Sequence, residues 1–109
     1  MGLHFFKDCD KEWELIEKGI SRKIMGYDKS LMMVKVAFEK DAIGALHTHP
    51  HTQTSYVASG LFEVSINGDK KTLKTGDSFF ASSDSEHGVK CLEPGVLIDI
   101  FSPVREDFL

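Results

Sequence analysis

The chain has 109 residues, 41% hydrophobic and 28% charged, and its 13 basic against 17 acidic residues leave a net charge of −4. That length suits one ordinary domain of about 100–150 residues, and the composition is that of a soluble globule rather than a disordered segment. No basic run exceeds the pairs Arg22-Lys23 and Lys70-Lys71, so neither nucleic acid nor an anionic membrane finds the positive footprint it needs.

Residues 1–8 acquire charge too early for the apolar core of a secretory leader, and no apolar run reaches the ~18 residues of a membrane span. Cys9 and Cys91 are far apart with no CxxC spacing, which reads as two reduced thiols, and a cytoplasmic protein is expected. Trp13 and Ile16 share a helical face, making 10–18 the one candidate helix. From there on, β-branched and aromatic segments alternate with Gly and Asp/Asn turn signals every ~8–12 residues, the pattern of an all-β barrel or sandwich. The expected strands are 20–24, 31–38, 45–49, 53–59, 61–67, 70–75, 78–81, 86–91 and 96–102. In the 62–70 hairpin, Asn67-Gly68 supplies the positive φ angles of a type I′ turn. Tyr56, Phe62 and Phe79 read as core aromatics, and the apolar segment 3–6 is a candidate for edge pairing or exchange between two copies.

Chemistry concentrates in the histidines. His47, His49 and His51 fall within five residues and His87 lies forty residues beyond His47. Positions i and i+2 of a strand share a face ~7 Å apart, so His47 and His49 can converge on one ion. Pro50 ends or bends that strand, sending His51 into a loop and turning Gln53 back toward the same face. His51 is the alternative to Gln53 as a ligand. Imidazole suits Zn, Ni, Cu and Fe, and an amide oxygen tolerates several divalent ions.

These residues resemble a cupin. His47-x-His49-x-x-x-Gln53, then six residues and Gly60, is similar to the first cupin motif, and Gly76 with His87 eleven residues later is similar to the second. Asp41 stands where motif one begins with Gly, Gln53 replaces its Glu, and Ser82, Asp84 and Cys91 replace the Pro, Gly and Asn of motif two. The resemblance implies an all-β, single-domain cupin over residues 1–109 with its core at about 20–105: a small antiparallel β-barrel of the jelly-roll (double-stranded β-helix) type.

In the last strand, parity puts Leu97, Asp99 and Phe101 on one face. A carboxylate among such neighbours must sit at a barrel mouth, be paired, or carry a shifted pKa, as a general acid or base would. Arg105, after Pro103, is the nearest downstream cation able to fold over that mouth. Cys91 lies too far from His87 along an extended strand to share an ion with it and reads as cavity wall.

The longer strings His47-Thr48-His49-Pro50-His51-Thr52-Gln53, His87-Gly88-Val89 and Asp99-x-Phe101-Ser102-Pro103-x-Arg105 resemble the KdgF-type cupins of pectin and alginate breakdown. That resemblance implies one divalent transition metal ion (Zn, Ni, Mn or Fe) on His47, His49, Gln53 and His87, with Asp99, Arg105 and Phe101 as catalytic residues. It implies metal-dependent ring opening of 4,5-unsaturated uronate monosaccharides to linear keto-uronates, an isomerase-like activity on a small anionic sugar, in a homodimer. The residues alone leave open a non-catalytic metal-binding cupin that holds a sugar, and a metal-dependent dioxygenase.

Overall fold

Alternation of apolar and polar side chains draws the chain into antiparallel strands. The computed structural model describes residues 4–109. Its strands are β1 (Glu14–Glu17), β2 (Ile20–Tyr27), β3 (Met32–Phe38), β4 (Ile43–His47), β5 (Thr52–Ile66), β6 (Asp69–Lys74), β7 (Ser78–Ala81) and β8 (His87–Ser102), with single 3₁₀ turns at Asp8–Asp10 and Glu106–Phe108. Among the described residues there is no α-helix.

Two long strands carry the architecture. β5 and β8 pair along their whole length, from Thr52 opposite Ser102 to Ile66 opposite His87. The first half of β5 pairs with β7 and its second half with β6, while β8 pairs with β4 through its first half and with β3 through its second. The sheet therefore folds over at the middle of β5 and β8, giving one layer β1-β2-β3-β8-β5-β7 and another β4-β8-β5-β6. Between the layers lie Val34, Val36, Phe38, Val57, Phe62, Val64, Cys91, Leu97 and Phe101, with Phe38 edge-on to Phe62 at 5.2 Å.

The fold-over falls where register shifts, between Val57 and Phe62. Gly60 takes φ +90° there, and a Cβ on it would lie 2.7 Å from Gly95 Cα and 2.8 Å from two backbone oxygens. Both the left-handed backbone and the lack of space demand glycine. Gly60→Ala is expected to cost about 3 kcal/mol, read as a lower urea midpoint at unchanged slope in the metal-free protein. A loss below about 0.5 kcal/mol, the scatter of ordinary surface substitutions, would show that the crossing gives way easily.

Several expectations are corrected. Residues 10–18 form no α-helix: Asp10 closes the first 3₁₀ turn and Glu14–Glu17 is an edge strand returning to β2 through Lys18-Gly19, with Gly19 at φ +80°. Pairs of expected strands merge, 53–59 with 61–67 and 86–91 with 96–102, because Gly60 and Pro94-Gly95 mark bends inside continuous ladders and not chain reversals. Tyr56 is 46% exposed on the outer face, whereas Phe62 and Phe79 are core. Of segment 3–6, Leu3 lies outside the described residues and His4–Phe6 join no strand. The Asn67-Gly68 turn forms as expected, with φ of 49° and 84° between Ile66 and Asp69.

Candidate active site

Strand β4 ends at His47, so His49 is not on a strand with it; the following loop folds over and carries His49 back to the same place. His87 opens β8 directly opposite His47. The ring centroids are 4.5 Å apart for His47 and His87, 4.7 Å for His49 and His87, and 5.4 Å for His47 and His49. One nitrogen from each lies within 4.8 Å of the others.

The ring protons are fixed by the backbone. Nδ1–H of His47 donates to the Ala45 carbonyl (2.8 Å), that of His49 to His51 (2.9 Å) and that of His87 to Ser85 (2.9 Å). Each Nε2 is then left with a lone pair. Gln53 Oε1, itself an acceptor, lies 3.0 Å from His49 Nε2 and 3.1 Å from His87 Nε2. The amide orientation follows from its other side. The Ser55 hydroxyl donates to Asp99 Oδ1 at 2.6 Å, so it accepts from Gln53 Nε2 at 2.9 Å, and the amide oxygen must face the imidazoles.

Acceptors converging without a proton between them repel unless a cation joins them, and backbone carbonyls locking each Nδ1–H are the usual support of a metal-bound histidine. The donor set therefore fits a divalent ion. Burial lowers the pKa values of His49 and His87, against the upward pull of their hydrogen bonds and helped by the nearby charges of Arg105 and His47. This keeps both rings neutral and available as ligands. His51 stays outside the cluster. Its carbonyl holds His49, and its Nδ1 is buried without a hydrogen-bond partner.

Beside the histidines lies a cavity of about 230 Å³ lined by His47, Gln53, Asp99 and Phe101 with Val34 and Val36, and by Ile16, Arg22, Arg105 and Phe108. This is small for a ligand pocket and suits a monosaccharide. A wider depression of about 390 Å³ near Lys18, Glu39 and Asp41 holds no histidine or other ligand cluster. Asp99 is drawn by β8 into the apolar wall, and burial pushes its pKa up to about 6 despite the opposing Ser55 hydroxyl and Arg105 guanidinium. Arg105 lies 5.1 Å from the Phe101 ring and 4.3 Å from Phe108, its Nε and Nη2 donating to both carboxylate oxygens of Asp107. The structure thus brings His47, His49, Gln53, His87, Asp99, Phe101 and Arg105 together at one barrel mouth. Cys91 is the exception among the expected wall residues: it is fully buried in the apolar core, its thiol near the Glu93 carbonyl, and does not line the cavity.

Sequence reading missed Arg22, Ser55 and Phe108. The signal for Arg22 was present. It shares strand parity with Ile20 and Ile24 and sits opposite Val36, the same misplaced inward charge that drew attention to Asp99.

A cupin-domain family model matches residues 34–101, a span that includes all four candidate ligands and Asp99. The chain belongs to the cupin family. Its similarity to particular cupins is higher still. It is 52% identical over 107 residues to the pectin degradation protein KdgF of Dickeya dadantii, covering 96% of this chain and 97% of that cupin. The structure of KdgF from Halomonas superposes with a TM-score of 0.96 at 42% identity, covering 99% of this chain and 100% of the other. An RmlC-like cupin from Shewanella frigidimarina superposes equally well, with a TM-score of 0.96 at 44% identity over 99% of this chain and 97% of that one. Two departures from the cupin motifs are accounted for by the backbone. Asp41 and Asp84, standing where the motifs have Gly, adopt φ of 69° and 63°, a left-handed conformation that Asp tolerates better than most residues.

Proposed function

We propose that this protein opens the ring of 4,5-unsaturated uronate monosaccharides, the products of pectin or alginate cleavage by lyases, to give linear keto-uronates. The observation that carries the reading is Asp99, a carboxylate with its pKa raised to about 6, held by Ser55 in a sugar-sized cavity that His47 and Gln53 of the candidate ligand set also line. The 52% identity to a pectin degradation protein supports the substrate class. No helix among the described residues is long and apolar enough to cross a membrane, and the reading places the enzyme in the cytoplasm. The exposed apolar row formed by Tyr56 and Phe80 on adjacent strands supports a homodimer.

A divalent ion on His47, His49, Gln53 and His87 would supply Lewis-acid charge to the developing enolate. Asp99, ionised above its pKa, takes the proton from the anomeric hydroxyl. The C1–O5 bond breaks as the C1 aldehyde forms, O5 becomes the C5 ketone, and the electron pair of the C4=C5 bond takes a proton at C4, which Asp99 returns. One proton leaves and one arrives, so the product is an isomer. Arg105 presents a cation to the substrate's carboxylate, and Phe101, Val34 and Val36 give the cavity an apolar wall, which strengthens these charges.

The test mixes metal-analysed protein with freshly made unsaturated galacturonate and follows loss of the conjugated double bond's ultraviolet absorbance. Acceleration over the spontaneous rate that chelation abolishes is expected. No acceleration with metal present would put a ligand-binding cupin ahead, and oxygen consumption a dioxygenase. The pH profile is a separate check. Asp99 must be ionised in the free enzyme, so kcat/KM should be flat above its pKa and fall about tenfold per pH unit below pH 6, the bound cation moving this limb only further down. A profile still rising between pH 7 and 8 would assign the base to another group.

A further inference from the structure

Arg22 projects from β2 into the same cavity mouth as Arg105, and the two guanidinium carbons lie 4.1 and 4.3 Å from the Phe108 ring centroid, so one aromatic ring steadies both cations. Their remaining capacities differ. Arg105 donates Nε and Nη2 to both oxygens of Asp107, which leaves it Nη1. Arg22 donates only Nε, to Glu14 Oε1 at 2.7 Å, and neither of its Nη groups has a hydrogen-bond partner among the described residues. Of the donors facing the cavity mouth, the free terminal pair therefore belongs to Arg22. Its side chain is 15% exposed, against 61% for Glu14, so the cation is held inward while its anion stands in water. A planar fork in this state is suited to a carboxylate through two parallel N–H···O bonds.

We propose that Arg22 is the principal residue binding the substrate's carboxylate, with Arg105 Nη1 as the secondary contact. This rests on the ring-opening reading above and adds to it the residue that selects acidic over neutral sugars. Glu14 competes with the ligand for the same guanidinium, and so weakens binding while keeping the fork in place when the site is empty of sugar.

The experiment compares wild type, Arg22→Gln, Arg22→Lys and Glu14→Gln as metal-loaded proteins, each checked for folding by circular dichroism. Binding of galacturonate, a saturated acid that cannot react, and of neutral galactose is measured by calorimetry, beside KM and kcat for unsaturated galacturonate. Arg22→Gln should weaken galacturonate binding and raise KM by about 10- to 100-fold, the worth of a charge-assisted pair, with kcat falling by a smaller factor. Arg22→Lys, which keeps the charge and loses the fork, should fall between, and serves alone if the Gln variant does not fold. Glu14→Gln should tighten galacturonate binding, and galactose binding should not respond to any of the three. Unchanged galacturonate binding in Arg22→Gln, an equal loss for galactose, or weakening by Glu14→Gln would overturn the proposal and make the pair purely structural. Should the wild type bind galacturonate through Arg22 yet fail to accelerate turnover, the ring-opening reading falls and the carboxylate site stands. Turnover by a wild type whose galacturonate affinity ignores Arg22 would keep the ring opening and remove the carboxylate site.

Discussion

Asp99→Asn should lose about 10⁴-fold in kcat, the upper end for acid–base catalysis, because the same group both takes and returns a proton. The substitution keeps an acceptor oxygen for the Ser55 hydroxyl, which now donates to Asp99 Oδ1 at 2.6 Å, so the Gln53 amide stays oriented and metal content should be unchanged. Stability should move in the opposite direction to activity. A carboxyl whose folded pKa is about 6 against an ordinary 3.8 is disfavoured in its ionised form by the fold. The resulting destabilisation is absent below the unfolded pKa, grows between the two values and is complete above the folded one. In the metal-free protein the Asn variant should therefore be more stable at pH 7, by up to about 3 kcal/mol, and lose that advantage near pH 4. Turnover within about tenfold of wild type would remove Asp99 from the chemistry, since even modest acid–base assistance is worth more.

His87→Ala should abolish both metal binding and turnover. This imidazole is 3% exposed, faces Gln53 Oε1 at 3.1 Å and lies edge-on to His49 and tilted against His47. Loss of a residue that merely orients a ligand already costs about 10- to 100-fold in metal affinity, and removal of a ligand costs more. Elemental analysis after dialysis should find the variant stripped, with absorbance loss at the spontaneous rate. The wild type should gain about 2.7 kcal/mol of stability at a hundred times the metal dissociation constant, and the variant nothing at that concentration. Retention of a full complement of metal by His87→Ala would move the centre away from these three histidines.

Much of this site was legible because strand parity is rigid. Asp99 and Phe101 could be placed on one face from spacing alone, and the cavity wall has them there. The histidines were found for a partly different reason from the one that brings them together. A strand through His49 would align two rings by pleat, whereas β4 stops at His47 and the loop through Pro50 supplies the third ring. The divided reading of β5 and β8 has a physical origin. Gly60 and Pro94-Gly95 carry the same local signal whether a chain reverses or bends, and only the partner strand, unseen in sequence, decides which. Ser55 was invisible because a small hydroxyl has no pattern. Its role exists only through Gln53 on one side and Asp99, forty-four residues away, on the other.

The fold-over of β5 and β8 separates two kinds of inheritance. Three of the residues proposed to hold an ion or move a proton, Gln53, His87 and Asp99, are built into the two strands shared by both layers, while His47 ends β4 and His49 lies in the loop after it. Those that face the mouth from outside, Ile16 on the β1 edge, Arg22 on β2 and Phe108 on the closing turn, come from segments before and after the two long strands, and Arg22 meets Phe108 at the mouth. Such a molecule can acquire a taste for a different sugar by drift at its margins while its reaction stays as it was, and a reshaped rim should be tolerated where a reshaped centre is not.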